Sequence, residues 1–210
     1  REEVSIMQTD KDPVSRLAGA LSVQLSTEDA QKMAGLINAA LQSENVYTEQ
    51  IPLSDEDKHD FLLMAFEERI LIPVRSRQSG AWEDRVLRFA PEEMFFMPHV
   101  ARLLFENASK FGYLDAETAV RQALSHQPGH HIEASVKFLK EMRPHTKSCM
   151  AEGGLMTAVA KGAKISEDVH DIVDTCVVAG IMNPCTRGSS MQGLAWYEFH
   201  PCLYWDQKFQ

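Results

Sequence analysis

Hydrophobic residues in two parts of the chain recur at the spacing of a helix that buries one face. These parts are residues 61–70 and 172–181, and each begins with two adjacent apolar residues, followed by another such pair one turn later. We expect each part to form an amphipathic helix whose apolar stripe faces a protein core.

Acidic pentapeptides stand at the start of both helical patterns. The sequence EDKHD occupies residues 56–60, and EDVHD occupies residues 167–171. Carboxylates are favourable at the start of a helix, where backbone N–H groups lack partners. We therefore predict that both pentapeptides are helix starts, with Ser54 and Ser166 as the N-caps.

A short apolar segment follows each helix, ILIPV at residues 70–74 and IMNPC at residues 181–185. A polar loop comes next, and then a second strand-like run, RVLRFA at 85–90 or LAWYEF at 194–199. Two strands joined by a loop that contains Gly predict a hairpin after each helix.

The two helix–hairpin segments align in order over about 40 positions, which indicates an internal repeat. Pro73 aligns with Pro184 without a gap. A one-residue gap in the loop then places FAP at residues 89–91 on FHP at residues 199–201.

Helical patterns also precede both segments, at residues 14–25 and 27–41 and at residues 132–142 and 153–166. Residues 43–53 are interpreted as a longer connection in the first copy. Three helices followed by a hairpin resemble the winged-helix (winged helix-turn-helix) family. The resemblance implies a mainly α fold with small β-hairpins (α+β), made of two winged-helix-like units.

Residues 94–124, between the two copies, are apolar and read as helical. Pro98 suits the first turn of a helix, Gly112 a helix end, and Asp115 the cap of a second helix. The turn signal HQPGHH follows. We therefore predict a first unit at residues 1–93, a helical linker at 94–128 and a second unit at 129–210.

Large apolar side chains are concentrated in this linker, namely Phe95, Phe96, Leu103, Leu104 and Phe105. We expect them to pack the two units together. An apolar groove for a partner is the alternative.

Composition and charge narrow the class of protein. The 210 residues are 44% hydrophobic and carry a net charge of −9, which disfavours broad electrostatic capture of nucleic acid or anionic lipid. No apolar run approaches the length of a membrane span, and the polar start of the chain is unlike a secretory signal. We expect a cytoplasmic protein that does not bind membranes.

The four cysteines all lie in the last third of the chain, and none forms a CxxC pair. Reduced thiols are expected, with two disulfides or a metal site as alternatives. The cysteines are Cys149, Cys176, Cys185 and Cys202.

The His-Asp pairs, His59-Asp60 and His170-Asp171, suggest the metal dyad of HD-type phosphohydrolases. Adjacent residues on a helix point about 100° apart, however, and no further ligands follow in order. We interpret the pairs as parts of acidic helix starts, not as ligands.

A second candidate metal cluster contains His126, His130, His131 and Glu133. Its central Pro-Gly favours a turn, so a polar loop between the units is the preferred interpretation. No GxSxG, GxGxxG or Walker A motif occurs. The sequence therefore predicts no catalytic residues, cofactor or bound metal.

The winged-helix resemblance implies DNA binding and a role as a transcriptional regulator. The first hairpin supplies the candidate contacts, because its arginines outnumber its acids and could hold phosphates beside an indole. The predicted DNA-binding residues are Arg75, Arg77, Trp82, Arg85, Arg88 and, in the second hairpin, Arg187.

Acidic third helices count against this prediction. Residues 55–69 have a charge balance of −4, and residues 166–182 carry four acids and no Lys or Arg. The alternative is a non-enzymatic adaptor that binds a protein partner and not DNA. The apolar linker and the aromatic C-terminus also suggest a homodimer.

Overall fold

The computed structural model describes residues 12–77, 79–127, 131–185 and 195–209. The protein is mainly α-helical with two small antiparallel sheets, an α+β fold as predicted. The helices of the described part are α1 (Pro13–Leu21), α2 (Thr27–Leu41), α3 (Asp55–Glu67), α4 (His99–Phe111), α5 (Ala116–Ser125), α6 (Ile132–Met142), α7 (Gly153–Gly162) and α8 (Val169–Val178). Its strands are β1 (Asn45–Tyr47), β2 (Ile72–Pro73), β3 (Met94–Phe96), β4 (Met150–Glu152), β5 (Met182–Cys185) and β6 (Trp196–Phe199).

The predicted start of α3 is confirmed, and the predicted start of α8 is two residues too early. The Ser54 hydroxyl accepts a hydrogen bond from the Asp57 backbone N–H, so Ser54 is the N-cap of α3. In the second copy Asp168 is the N-cap, because its carboxylate accepts from the His170 backbone N–H at 2.8 Å. Ser166 instead donates its hydroxyl to Glu167.

Each half of the chain contributes one three-stranded sheet, and in both sheets the last strand lies in the middle. The order is β1-β3-β2 in the first half and β4-β6-β5 in the second. Pro73 is paired with Phe95, and Pro184 is paired with Tyr197. The two prolines thus occupy the same place in the two sheets, as the alignment of the helix ends predicts.

The alignment beyond the loop is wrong. The sequence predicts RVLRFA as the second strand of the first hairpin, but the strand that pairs with β2 is Met94–Phe96. Because Phe95 and Tyr197 pair with the equivalent prolines, the residue that corresponds to Phe199 in the first half is Met97, and not Phe89. The first hairpin has the longer loop, so the matching FAP and FHP tripeptides are not in equivalent positions.

A strand also lies inside the segment predicted to be a connection. Between α2 and α3 come β1 and a 3₁₀ turn at Thr48–Gln50, and between α6 and α8 come β4 and α7. In element order, α2 therefore corresponds to α6. The helix α1 is an addition before this unit, and not its first helix.

The linker helices begin and end as predicted. Pro98 precedes α4, Gly112 ends it with a left-handed φ of 80°, and Asp115 caps α5 through the Thr118 backbone N–H. The predicted boundary after residue 93, however, would separate β3 from both of its partner strands.

Three of the five large apolar residues named for the linker are buried, and Phe96 and Leu103 are half-buried. Phe95, Leu104 and Phe105 are fully buried in a hydrophobic core that continues through both halves. The Phe105 ring meets the Trp205 ring edge-on at 6.3 Å. The linker and the C-terminal segment therefore pack against each other, and Phe111 and Tyr113 are the large apolar linker side chains that remain exposed among the described residues.

Candidate functional site: the first hairpin and the acidic helices

The loop of the first hairpin docks on the second sheet. Trp82 lies in a 3₁₀ turn of this loop and is only 4% exposed. Its backbone N–H donates to the Asn183 side-chain oxygen at 2.9 Å, and its ring meets the His200 ring edge-on at 5.3 Å. The indole predicted to lie beside DNA is therefore enclosed between the two halves.

Arg85, also predicted to contact DNA, turns back onto its own hairpin. Its guanidinium donates to the backbone oxygens of Val74 and Gly80 and lies 5.5 Å from the centre of the Phe96 ring. Burial lowers the pKa of this guanidinium. Arg85 therefore holds the shape of the loop.

Three other arginines of the predicted set remain on the surface. Arg75, Arg77 and Arg88 are exposed, and no carboxylate of the described residues lies within ion-pair distance of them. Arg187 lies outside the described residues. The structure thus leaves three of the six predicted residues exposed on the first hairpin.

A buried ion pair joins the halves next to the docked loop. The Arg69 Nε donates to a Glu198 carboxylate oxygen at 2.8 Å, and both side chains are less than 15% exposed. Burial raises the pKa of Glu198, against the opposing effect of the Arg69 charge. Neither the composition nor any sequence motif indicates this pair, because its members lie 129 residues apart in the chain.

His200 completes the contact between the halves. It is fully buried, its Nε2 lies 3.0 Å from the Arg69 carbonyl oxygen, and its Nδ1 accepts from the Cys202 backbone N–H. Burial lowers the pKa of the imidazole to about 3. A neutral ring with its proton on Nε2 satisfies both bonds.

The ends of α3 and α8 pack in a reciprocal way. Arg69 and Gly180 both adopt left-handed backbone conformations, with φ of 56° and 69°. Arg69 accepts the bond from His200, which follows β6, and Gly180 lies against Pro98 and His99, which follow β3. Each helix end therefore contacts the segment after the central strand of the other half.

The outer faces of α3 and α8 are acidic. Asp60 and Glu67 are exposed on α3, and Asp171 and Asp174 are exposed on α8. Lys58 is the one Lys or Arg residue of α3, and its Nζ lies 3.7 Å from an Asp55 carboxylate oxygen. Neither face offers a cluster of free cations to a phosphate backbone.

The candidate metal ligands do not converge. The His59 Nδ1 lies 3.5 Å from an Asp60 carboxylate oxygen, and the His59 ring stacks on Phe89 with 3.9 Å between the ring centres. His126 lies within hydrogen-bond distance of the Gln122 carbonyl oxygen. In the described ranges no group of three His, Cys, Asp or Glu side chains is placed to hold a metal ion, and His130 lies outside them.

The four cysteines are free, and three of them are buried. Burial raises the pKa of Cys176 and Cys185 to about 12 and that of Cys149 to about 11. These shifts keep the thiols protonated and weakly nucleophilic at neutral pH. Of the helices described here, none is both long and apolar enough to cross a bilayer.

Residues 17–207 match the model of one protein family, and this match covers both halves and the linker. The chain belongs to this family. No functionally curated protein and no solved structure matches the chain with statistical significance. The family model therefore spans both halves as a single unit.

Proposed function

We propose that this family member is a non-enzymatic interaction module that binds a protein partner through its acidic helices. The module consists of two winged-helix-like units, an interpretation supported by the shared strand order and by the helix, strand and hairpin sequence common to both halves. The observation that carries the proposal is the buried position of Trp82, because the hairpin that would reach along DNA is docked on the other half.

The charge of the exposed helices identifies the kind of partner. In helix-turn-helix proteins the helix equivalent to α3 or α8 enters the major groove, where acidic side chains would be repelled by phosphates. A basic protein surface is attracted by the same side chains. We therefore propose a partner whose contact surface is rich in Lys and Arg.

A charge-reversal experiment tests this proposal. Glu67→Lys combined with Asp174→Lys changes one exposed acid on each helix, and Glu44→Lys combined with Glu141→Lys makes the same change of net charge elsewhere. The chain and both variants are immobilised and exposed to nuclease-treated lysate of the source cells, and bound proteins are quantified by mass spectrometry.

The helix variant should lose a basic partner that the parent chain and the control variant retain. The expected loss is about tenfold, which corresponds to about 1.4 kcal/mol of binding free energy. Identical bound sets for both variants would contradict the assignment of the acidic helices as the contact surface.

DNA binding through the first hairpin is the second candidate, favoured by the exposed guanidinium groups of Arg75, Arg77 and Arg88, which form no ion pair with another described residue. Such groups bind phosphates without requiring the third helices. If this candidate is correct, Arg75→Ala combined with Arg77→Ala abolishes binding to a DNA duplex. Loss of each arginine should lower the salt dependence of log K by about one unit.

A further inference from the structure

A cavity of about 640 Å³ lies beside the C-terminal end of α6. Small-molecule sites in proteins typically enclose about 300–1,000 Å³. Six of the residues that line this cavity carry a cation, a hydroxyl or a thiol, namely Lys140, Arg143, Thr146, Ser148, Cys149 and Tyr204.

The wall of the cavity contains an unusual turn. Lys147 and Met150 exchange two backbone hydrogen bonds of 3.0 and 2.9 Å across Ser148 and Cys149. Both central residues have left-handed φ values, 48° and 60°, in a turn that normally uses Asn-Gly. The turn places Ser148 and Cys149 in the cavity wall at positions where glycine would be less strained.

The lining carries two cations and no carboxylate. The Lys140 Nζ lies 2.7 Å from a Glu117 oxygen outside the cavity. Arg143 donates to the backbone oxygens of Tyr204, Asp206 and Phe209, and it has no carboxylate ion pair among the described residues. Backbone oxygens therefore hold the Arg143 guanidinium in place, and no carboxylate of the residues that the structure describes forms an ion pair with it.

Hydroxyl groups and apolar surface complete the lining. The Thr146 and Tyr204 hydroxyls are hydrogen-bonded to each other at 2.8 Å. The Tyr204 ring lies 5.3 Å from the Arg143 guanidinium carbon and presents a flat apolar surface. A ligand with an aromatic or aliphatic body and one anionic group would complement both the apolar and the cationic parts of this lining.

We propose that this cavity is a binding site for a small organic anion, with the apolar body against Tyr204 and the anionic group near Lys140 and Arg143. The proposal is independent of the partner assigned to the acidic helices. It depends instead on the Arg143 guanidinium held at the cavity and on a lining that, among the described residues, contains no acid.

The probe 8-anilinonaphthalene-1-sulfonate has the required chemistry, and N-phenyl-1-naphthylamine is its counterpart without the sulfonate. We expect the full chain to bind the sulfonate probe at one saturable site per chain, measured by fluorescence titration and calorimetry. The neutral probe should bind about tenfold more weakly, because it lacks the charged hydrogen-bond acceptor.

Two lysine variants on the same helix separate the cavity from general surface charge. Lys140→Met removes a cation of the cavity, and Glu117 keeps Arg121 as a partner at 2.9 Å. Lys137→Met removes an exposed lysine one turn away that does not line the cavity. Lys140→Met should weaken binding of the sulfonate about tenfold and leave the neutral probe unchanged, and Lys137→Met should change neither.

Thr146→Trp fills the cavity and should abolish binding of both probes, with folding verified by circular dichroism. This variant keeps the proposal testable if Lys140→Met does not fold. Absence of a saturable site in the parent chain would overturn the proposal. Equal affinity for the sulfonate in Lys140→Met and Lys137→Met, or unchanged binding in a folded Thr146→Trp variant, would also overturn it.

Discussion

His200 couples the stability of the protein to pH through a single buried side chain. Its folded-state pKa is about 3, and the ordinary value is 6.5. Between these values the unfolded chain takes up a proton that the folded chain excludes. The contribution of His200 to stability is therefore fully present above pH 6.5 and is lost progressively as the pH falls toward 3.

We expect His200→Gln to remove this part of the pH dependence. In the parent chain, His200 should lower the free energy of unfolding by about 2 kcal/mol between pH 7.5 and pH 5, at about 1.4 kcal/mol per pH unit below 6.5. Urea unfolding at both pH values measures the difference. The exposed His170→Gln variant is the control and should keep the parental pH dependence, and an equal dependence in His200→Gln would refute the role of His200.

At the scale of elements, the reciprocal helix ends depend on two left-handed residues with different side chains. Gly180 adopts a φ of 69° without a side-chain penalty, and an added Cβ would lie 3.3 Å from the His99 backbone nitrogen. Arg69 adopts the same left-handed conformation at the corresponding position, which costs free energy because the residue has a Cβ. Its side chain forms the ion pair with Glu198. The same helix ending thus serves two different contacts.

Gly180→Ala should destabilise the protein by about 1–2 kcal/mol, the cost of a left-handed alanine. Gly162→Ala is the matched control, since a Cβ at Gly162 meets no atom within 4 Å and its φ is not left-handed. The control should be neutral or stabilising by about 0.5–1 kcal/mol, because alanine favours a helix. Thermal unfolding of both variants provides the comparison, and similar losses in the two would contradict the proposed packing of Gly180.

The elements that the sequence predicts well are those with a strong local signal. Pro98, Gly112 and Asp115 each act within one helical turn, and the structure places them at the predicted helix ends. The β3 strand was missed because Met94–Phe96 has no alternating pattern and its two partner strands are distant in sequence. The tripeptide FAP misled the alignment because the first loop is longer than the second.

The candidate site was less predictable than the helices. A cluster of arginines beside Trp82 is consistent with an exposed hairpin or a docked one. The two are distinguished by a tertiary contact, the hydrogen bond from the Trp82 backbone N–H to Asn183 of the second sheet. The sequence does single out Arg69, because it occupies the position at which the second copy of the repeat has Gly180. Its partner Glu198 could not be chosen from the sequence, because tertiary contacts of this separation leave no local pattern.

At the scale of the whole molecule, the ion pair between Arg69 and Glu198 should tie the two halves together. Arg69→Met leaves a buried carboxylate unpaired and should lower the free energy of unfolding by about 3–5 kcal/mol. Adding Glu198→Gln should recover a large part of this loss, because the uncompensated charge is removed. Urea unfolding of both single variants and the double variant completes the cycle, and strictly additive losses would show that the two side chains are not coupled.

The whole-molecule account has two halves docked through the first hairpin, with acidic helices facing outward. Its most direct test is fluorescence anisotropy of a labelled DNA duplex, titrated with the full chain at about 50 mM salt, where phosphate-driven binding is strong. The account predicts no saturable binding at micromolar concentrations of the chain. Saturable binding that weakens steeply with salt, and that Arg75→Ala combined with Arg77→Ala removes, would contradict it.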